Sequence, residues 1–200
     1  MWRLSAIFIL MAGLAGCGSL PPPVQYKDPL SGIMPVSTTA FPVDALVRVE
    51  QPAGLIVSDN TESYLQFEKG GDTAAHNYGP MTNDVAVRDM NPKSFVDRII
   101  YLLRSRYPNI ELIDDMNAAA RLGKKTVFVI DVQPVYGRYS GQTTKFDLAV
   151  FVFDSQRHPI SKITGYGEAV IPYPATDFRV KESSSQALQE LDRKMSQYLR

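Results

Sequence analysis

The chain has 200 residues, 44% of them apolar, with 21 basic and 21 acidic side chains. That length and composition are those of an ordinary globular protein able to bury one full hydrophobic core. The balanced charge excludes a basic stripe for nucleic acid, and the single cysteine excludes an internal disulfide, so the core must hold the fold.

The chain opens with a positive charge at Arg3 and an apolar segment from Leu4 to Ala15. A dozen apolar residues are too few for a bilayer core, which needs about twenty, and small residues follow; this is the pattern of a secretory signal. The segment closes on Leu14-Ala15-Gly16-Cys17, which resembles the lipobox of bacterial lipoproteins. The resemblance implies cleavage before Cys17 by signal peptidase II, with acylation of the Cys17 sulfur and of the new amino terminus. One acyl chain anchors marginally and two or more anchor stably, at about 0.8 kcal/mol per buried methylene. Gly18 stands where an aspartate usually means inner-membrane retention, so it resembles the outer-membrane default. Residues 1–16 are therefore expected to be a signal peptide, and Cys17 to tie the protein to the periplasmic face of the outer membrane.

Residues 17–43 read as the lipidated cysteine followed by a tether. Pro21-Pro22-Pro23 favours polyproline II, and Pro29, Gly32, Pro35 and Pro42 interrupt any regular pattern. Fully extended, such a tether reaches about 75 Å at roughly 3.1 Å per residue. One domain, residues 44–200, is expected to follow.

Within it, Ala45 to Glu50 alternates like a strand, and Leu55-Ile56-Val57 and Tyr64-Leu65-Gln66-Phe67 read as a hairpin or further strand pieces. Residues 70–83 read as a long loop. Asn91 and Pro92 mark the start of a helix whose stripe is Phe95, Val96, Ile99, Ile100, Leu102 and Leu103, ended by Pro108. A short strand at 110–113 and a helical turn from Met116 to Leu122, stopped by Gly123, come next. Thr126 to Val132 is β-branched and aromatic enough to be a central strand buried on both faces. Phe146 to Phe153 and Ile160 to Ile171 continue it as a meander, with Gly165 and Gly167 marking a bulge or a close approach. In the last helix, Ser183 and Gln186 have capping-box spacing, and Ala187, Leu188, Leu191, Met195, Tyr198 and Leu199 form its stripe.

This order predicts an α+β fold, a mostly antiparallel sheet with two main helices packed on one face. With the lipobox and tether, the order of elements over residues 44–199 resembles small periplasmic lipoproteins of the YajG type, auxiliary lipoproteins of ABC transport, and the N-terminal module of TolB and CsgG. That resemblance implies an accessory of envelope assembly or transport, with protein partners and no active-site residues.

The residues themselves contain no catalytic constellation. His76 and His158 have no second ligand in register for a metal, and there is no Gly-x-Ser-x-Gly elbow or phosphate loop. Asp114-Asp115, Asp131 and Asp147 are weighed as acid–base carboxylates, against the simpler reading that the two strand aspartates point to solvent or meet Arg138 or Lys145. Tyr136, Arg138 and Tyr139, with Tyr166 and Tyr173 on later strands, make the best candidate for a contact patch, since Tyr and Arg dominate binding hot spots. The expected protein is non-enzymatic and without metal or cofactor. It is a lipid-anchored interaction module of the envelope, the alternative being a lipoprotein that binds lipid or peptidoglycan in a groove between sheet and helices.

Overall fold

The computed structural model describes residues 25–31, 33, 41–67, 92–137, 139–174 and 179–200. Strand β1 (Ala53–Val57) leads into a helical segment, α1, over residues 59–67. Then come helix α2 (Pro92–Arg106), strand β2 (Glu111–Leu112), helix α3 (Met116–Arg121), and strands β3 (Thr126–Val135), β4 (Thr143–Asp154) and β5 (Pro159–Val170). Helix α4 (Val180–Tyr198) closes the chain. The fold is α+β, and its five-stranded sheet has the order β2-β1-β3-β4-β5. β3, β4 and β5 form the antiparallel meander, while β1 pairs in parallel with both β2 and β3, so the sheet is mixed and mostly antiparallel.

Side chains alternate across the sheet. Leu55, Phe128, Ile130, Val132, Phe146, Leu148, Val150, Val152 and Ile163 share one buried cluster with Phe95, Val96, Ile99 and Leu103 of α2 and with Ala187, Leu188, Leu191 and Met195 of α4. The rings of Phe95 and Phe146 meet edge-on at 5.4 Å. Leu102, expected in the buried stripe, is only partly buried and packs at the margin, whereas Leu103 is fully buried. Arg106, in the last turn of α2, bonds Asp192 at 2.6 Å and Ser196 at 2.7 Å on α4. Gly165 and Gly167 are close-approach glycines: a Cβ on either would collide with the backbone of α4, at Ala187 O and Ser183 O respectively. The bulge lies elsewhere, at Val152/Phe153 of β4.

The alternate residues Val127, Val129, Ala149, Phe151 and Phe153 form a second cluster with Ile56, Ile113 and α3. The stop of α3 at Gly123 is as its sequence predicts, whereas Asp115, weighed above as an acid–base carboxylate, serves instead as its cap. Asp115 caps it by accepting the Ala118 N–H at 2.6 Å, and Gly123 leaves it at φ 62.

Four local expectations are corrected. Ala45 to Glu50 is not a sheet strand: Val47 bridges Leu199, exchanging bonds with Tyr198 O and Arg200 N, because the partner of this alternating segment is the end of the chain. Tyr64 to Phe67 is helical, since Ser58 caps α1 by accepting the Thr61 N–H. Ser183 does not cap α4, which starts three residues earlier to bury Val180. The Ser183 hydroxyl donates back to the Arg179 carbonyl at 2.8 Å. Residues 25–31, 33, 41 and 42, read as tether, pack on the domain: Leu30 is buried in the second cluster, and Phe41 meets Phe151 and Phe153 edge-on at 5.1 and 5.3 Å. Prolines break regular structure, but they do not prevent apolar neighbours from docking. Cys17, Asn91 and the loop at 70–83 lie outside the described residues.

Candidate functional site

β1 ends opposite Ile130, five residues before β3 does. The last stretch of β3 thus loses its neighbour on that side, and its backbone groups need other partners. The start of α1 and the segment at 25–31 supply them. Ser58 N–H donates to the Ile130 carbonyl at 3.0 Å, and Val132 N–H donates to the Thr61 hydroxyl at 2.9 Å. Pro134 has no N–H to satisfy, and its carbonyl accepts the Tyr26 hydroxyl at 2.8 Å.

Asp131 sits at this junction and is 3% exposed. Its Oδ1 accepts from the Ser58 hydroxyl at 2.5 Å and from Asn60 Nδ2 at 3.1 Å, and its Oδ2 accepts from Gln133 Nε2 at 2.6 Å. Burial raises the Asp131 pKa above the ordinary carboxylate range, and the bonds from Ser58, Gln133 and Asn60 only partly offset that. Asn60 also brackets the main chain of Lys27, accepting its N–H at 2.9 Å and donating to its carbonyl at 3.0 Å. The expectation that Asp131 points to solvent is therefore corrected. It is the centre of a buried polar clasp that joins β3, α1 and the docked segment. Both its oxygens are engaged, which is the arrangement of a structural carboxylate.

Asp147 lies on the exposed part of the same face, paired with Gln133 and Tyr166. Partial burial raises its pKa, against the pull of Lys145 and Lys162. Lys145 makes its ion pair with Glu168, at 3.8 Å. Tyr166 donates its hydroxyl to Glu168, which pushes the phenol up to about 12. Exposed Val135 and Val170 complete a half of the face that no described residue covers, made of apolar and aromatic side chains and charged ones of both signs. The β5 edge beside it is closed by side chains of α4: Glu190 accepts the Tyr166 N–H at 2.6 Å, and Gln186 accepts the Glu168 N–H at 3.3 Å.

The sequence-predicted tyrosines are not brought into one patch. Tyr136 is half-buried and packs edge-on against Phe146 at 6.0 Å, so its ring belongs to the core. Tyr139 is 69% exposed and Tyr173 is 92% exposed, both at the end of the sheet where Thr143 pairs with Val170. Arg138 and His76 lie outside the described residues, as does Cys17. His158 is in the exposed β4–β5 turn, 3.3 Å from Asp154. Among the described residues no three His, Cys, Asp or Glu side chains are grouped to hold a metal, and no helix is long and apolar enough to cross a membrane.

Sequence reasoning missed Tyr26, Lys27, Ser58, Asn60, Thr61 and Gln133. A signal was present for three of them: Ser58-Asp59-Asn60-Thr61 directly after an apolar strand is an N-cap pattern.

No family model matches this chain, and no curated protein matches it. Among solved structures it is similar to a PelC dodecamer from Paraburkholderia phytofirmans, at 12% identity and a TM-score of 0.42, over 78% of this chain and 95% of that one. It is also similar to the hypothetical protein CT253 from Chlamydia trachomatis, at 13% identity and a TM-score of 0.35, over 55% of this chain and 83% of that one. Likeness at this level bears on neither activity nor partners.

Proposed function

We propose that this chain is a lipid-anchored, non-catalytic interaction module on the periplasmic face of the bacterial outer membrane, an accessory of envelope assembly or transport. Leu14-Ala15-Gly16-Cys17 and Gly18 support the anchor and its place. The reading includes two main helices, α2 and α4, packed on one face of the sheet. The observation that carries the interaction role is the half of the opposite face that no described residue covers, where Val135, Lys145, Asp147, Tyr166, Glu168 and Val170 stand together beside a closed edge. Apolar and aromatic side chains interleaved with charges of both signs suit a protein-binding surface. We place the protein contact here rather than on Tyr136, whose ring is engaged with Phe146. For the alternative role, a lipid or peptidoglycan fragment bound between sheet and helices would have to displace Phe95, Phe128 and Phe146, which fill that layer.

Two measurements test the proposal. Labelled palmitate should enter the wild type and not Cys17→Ala; uptake by neither, or by both, defeats the anchor. Tyr166→Ala combined with Lys145→Glu should lower recovery of envelope partners by the native lipidated protein and leave the melting temperature in place. Unchanged recovery with an intact fold defeats the surface.

A further inference from the structure

We propose that the occupant of the half-face formed by Val135, Lys145, Asp147, Tyr166, Glu168 and Val170 is a second copy of this chain, packed face to face about a twofold axis that crosses the strands at Phe146. The inference rests on the interaction surface proposed above and names its partner.

The charges lie in an order that a copy of themselves complements. Asp147 follows Lys145 by two residues on β4, so both side chains leave the same face about 7 Å apart. Phe146, between them, pairs with Pro134 on β3 and Gly167 on β5, so the residues of this face flank that line evenly on all three strands. A contact between identical patches is isologous: if one residue meets a second, the second meets the first in return. An axis across the strands at Phe146 reverses the strand direction and sets β4 on β4. Lys145 of each copy then faces Asp147 of the other. Along β5 the same operation sets Tyr166 over Glu168, and along β3 it sets Val135 over Gln133. An axis parallel to the strands would instead stack Lys145 on Lys145 and Asp147 on Asp147, a like-charge contact that opposes docking. The charge order therefore selects one of the two aligned packings.

The surroundings agree with this choice. Lys145 reaches its own Glu168 at 3.8 Å, and Asp147 has no ion pair among the described residues, so each copy supplies the charge that the other lacks. Sheets packed face to face stand about 10 Å apart, a gap that a long lysine and a short aspartate bridge together. The β5 edge is closed to an incoming strand, because Glu190 and Gln186 hold its N–H groups, and the face is left as the contact. The patch covers only residues 143–147 of β4 and their neighbours on β3 and β5, less than the roughly 800 Å² that each partner of a stable complex buries. Association is expected where copies are concentrated, as they are when acylated onto one membrane.

Energy transfer between full-length lipidated copies in vesicles of phosphatidylethanolamine and phosphatidylglycerol tests this. Lipidation consumes the thiol of Cys17, the one cysteine of the chain, so Ser155→Cys in the β4–β5 turn offers a single site for a donor or an acceptor dye. Mixed donor and acceptor copies should transfer energy above the level of randomly placed copies. Lys145→Asp alone and Asp147→Lys alone should each fall to that level, with melting temperatures in place. Donor-labelled Lys145→Asp mixed with acceptor-labelled Asp147→Lys should regain transfer, because one contact across the axis is then native and the other is exchanged in sign. A mixture that regains nothing overturns the twofold arrangement. Transfer that persists in both single variants places self-association on another surface and overturns the proposal, as does wild-type transfer at the random level. In either case the surface reading stands if Tyr166→Ala with Lys145→Glu still loses a protein partner, and it falls with the proposal if that variant loses none.

Discussion

The two faces of the sheet are closed by different means. On the face lined by Phe128, Ile130, Phe146, Leu148 and Val150, the buried side chains run the length of the strands and share one cluster with residues of the two long helices. On the other face, the apolar cover of α3, Leu30, Ile33 and Phe41 reaches only half as far. It then gives way to the polar clasp at Asp131, and beyond that to exposed side chains. One face is lined by buried apolar side chains along its length. The other divides its length between a second apolar cluster, the bonds to the segment at 25–31, and exposed side chains.

If that division is right, the largest effects belong to the continuous core. Leu191→Ala and Leu103→Ala each remove a fully buried side chain and should cost about 2–5 kcal/mol, read from denaturant unfolding. Losses below that range at both positions would mean that the two helices are not packed as described.

The clasp should come second. Thr61→Val leaves the Val132 N–H without its acceptor, and Asn60→Ala releases the main chain of Lys27; each should cost about 1–3 kcal/mol. Only Asn60→Ala should also expose residues 25–31 to limited proteolysis. Equal cleavage in the two variants would break the distinction between a structural bond and an attachment bond.

A pH series sharpens the same point. The Asp131 carboxyl holds its proton more tightly in the folded chain than in the unfolded one. Its contribution to stability is therefore complete below the ordinary carboxylate pKa and is lost as pH rises through the raised value. Asp131→Asn should remove that slope, so the wild type should lose ground to the variant across this window. Parallel stability curves would mean that the carboxyl is not desolvated as the structure describes.

The smallest effects belong to the open half. Tyr139→Ala and Tyr166→Ala should change stability by no more than about 0.5 kcal/mol, whereas Tyr136→Ala, whose ring packs on Phe146, should exceed both in a thermal melt. A Tyr136→Ala variant as stable as Tyr139→Ala would return Tyr136 to the list of contact residues.

Much of this was legible in the chain because the physics is local. The stripe of Phe95, Ile99 and Leu103, the Gly123 stop and the β-branched run of β3 each depend on neighbours within a turn or two. The meander was legible because strands joined by short turns pair with one another. The glycines of β5 announced a bulge or a close approach, but neither which of the two nor what approaches.

What only the tertiary structure decided are the pairings between distant residues. Nothing near Ala45 to Glu50 indicates that its partner is Leu199, and the alternation that reads as a sheet strand serves an isolated bridge equally well. Nothing near Asp131 indicates that Ser58 and Asn60, more than seventy positions away, will engage its carboxylate. The same sequence of polar and apolar residues fits either a solvent-facing or a buried aspartate. The deciding fact is that β1 stops at Val57, so α1 and the docked segment must complete what a longer strand would have covered. Local propensity determines which elements form, whereas where one strand ends against another depends on packing across the whole sheet, and that placed the clasp and left the far half of the face open.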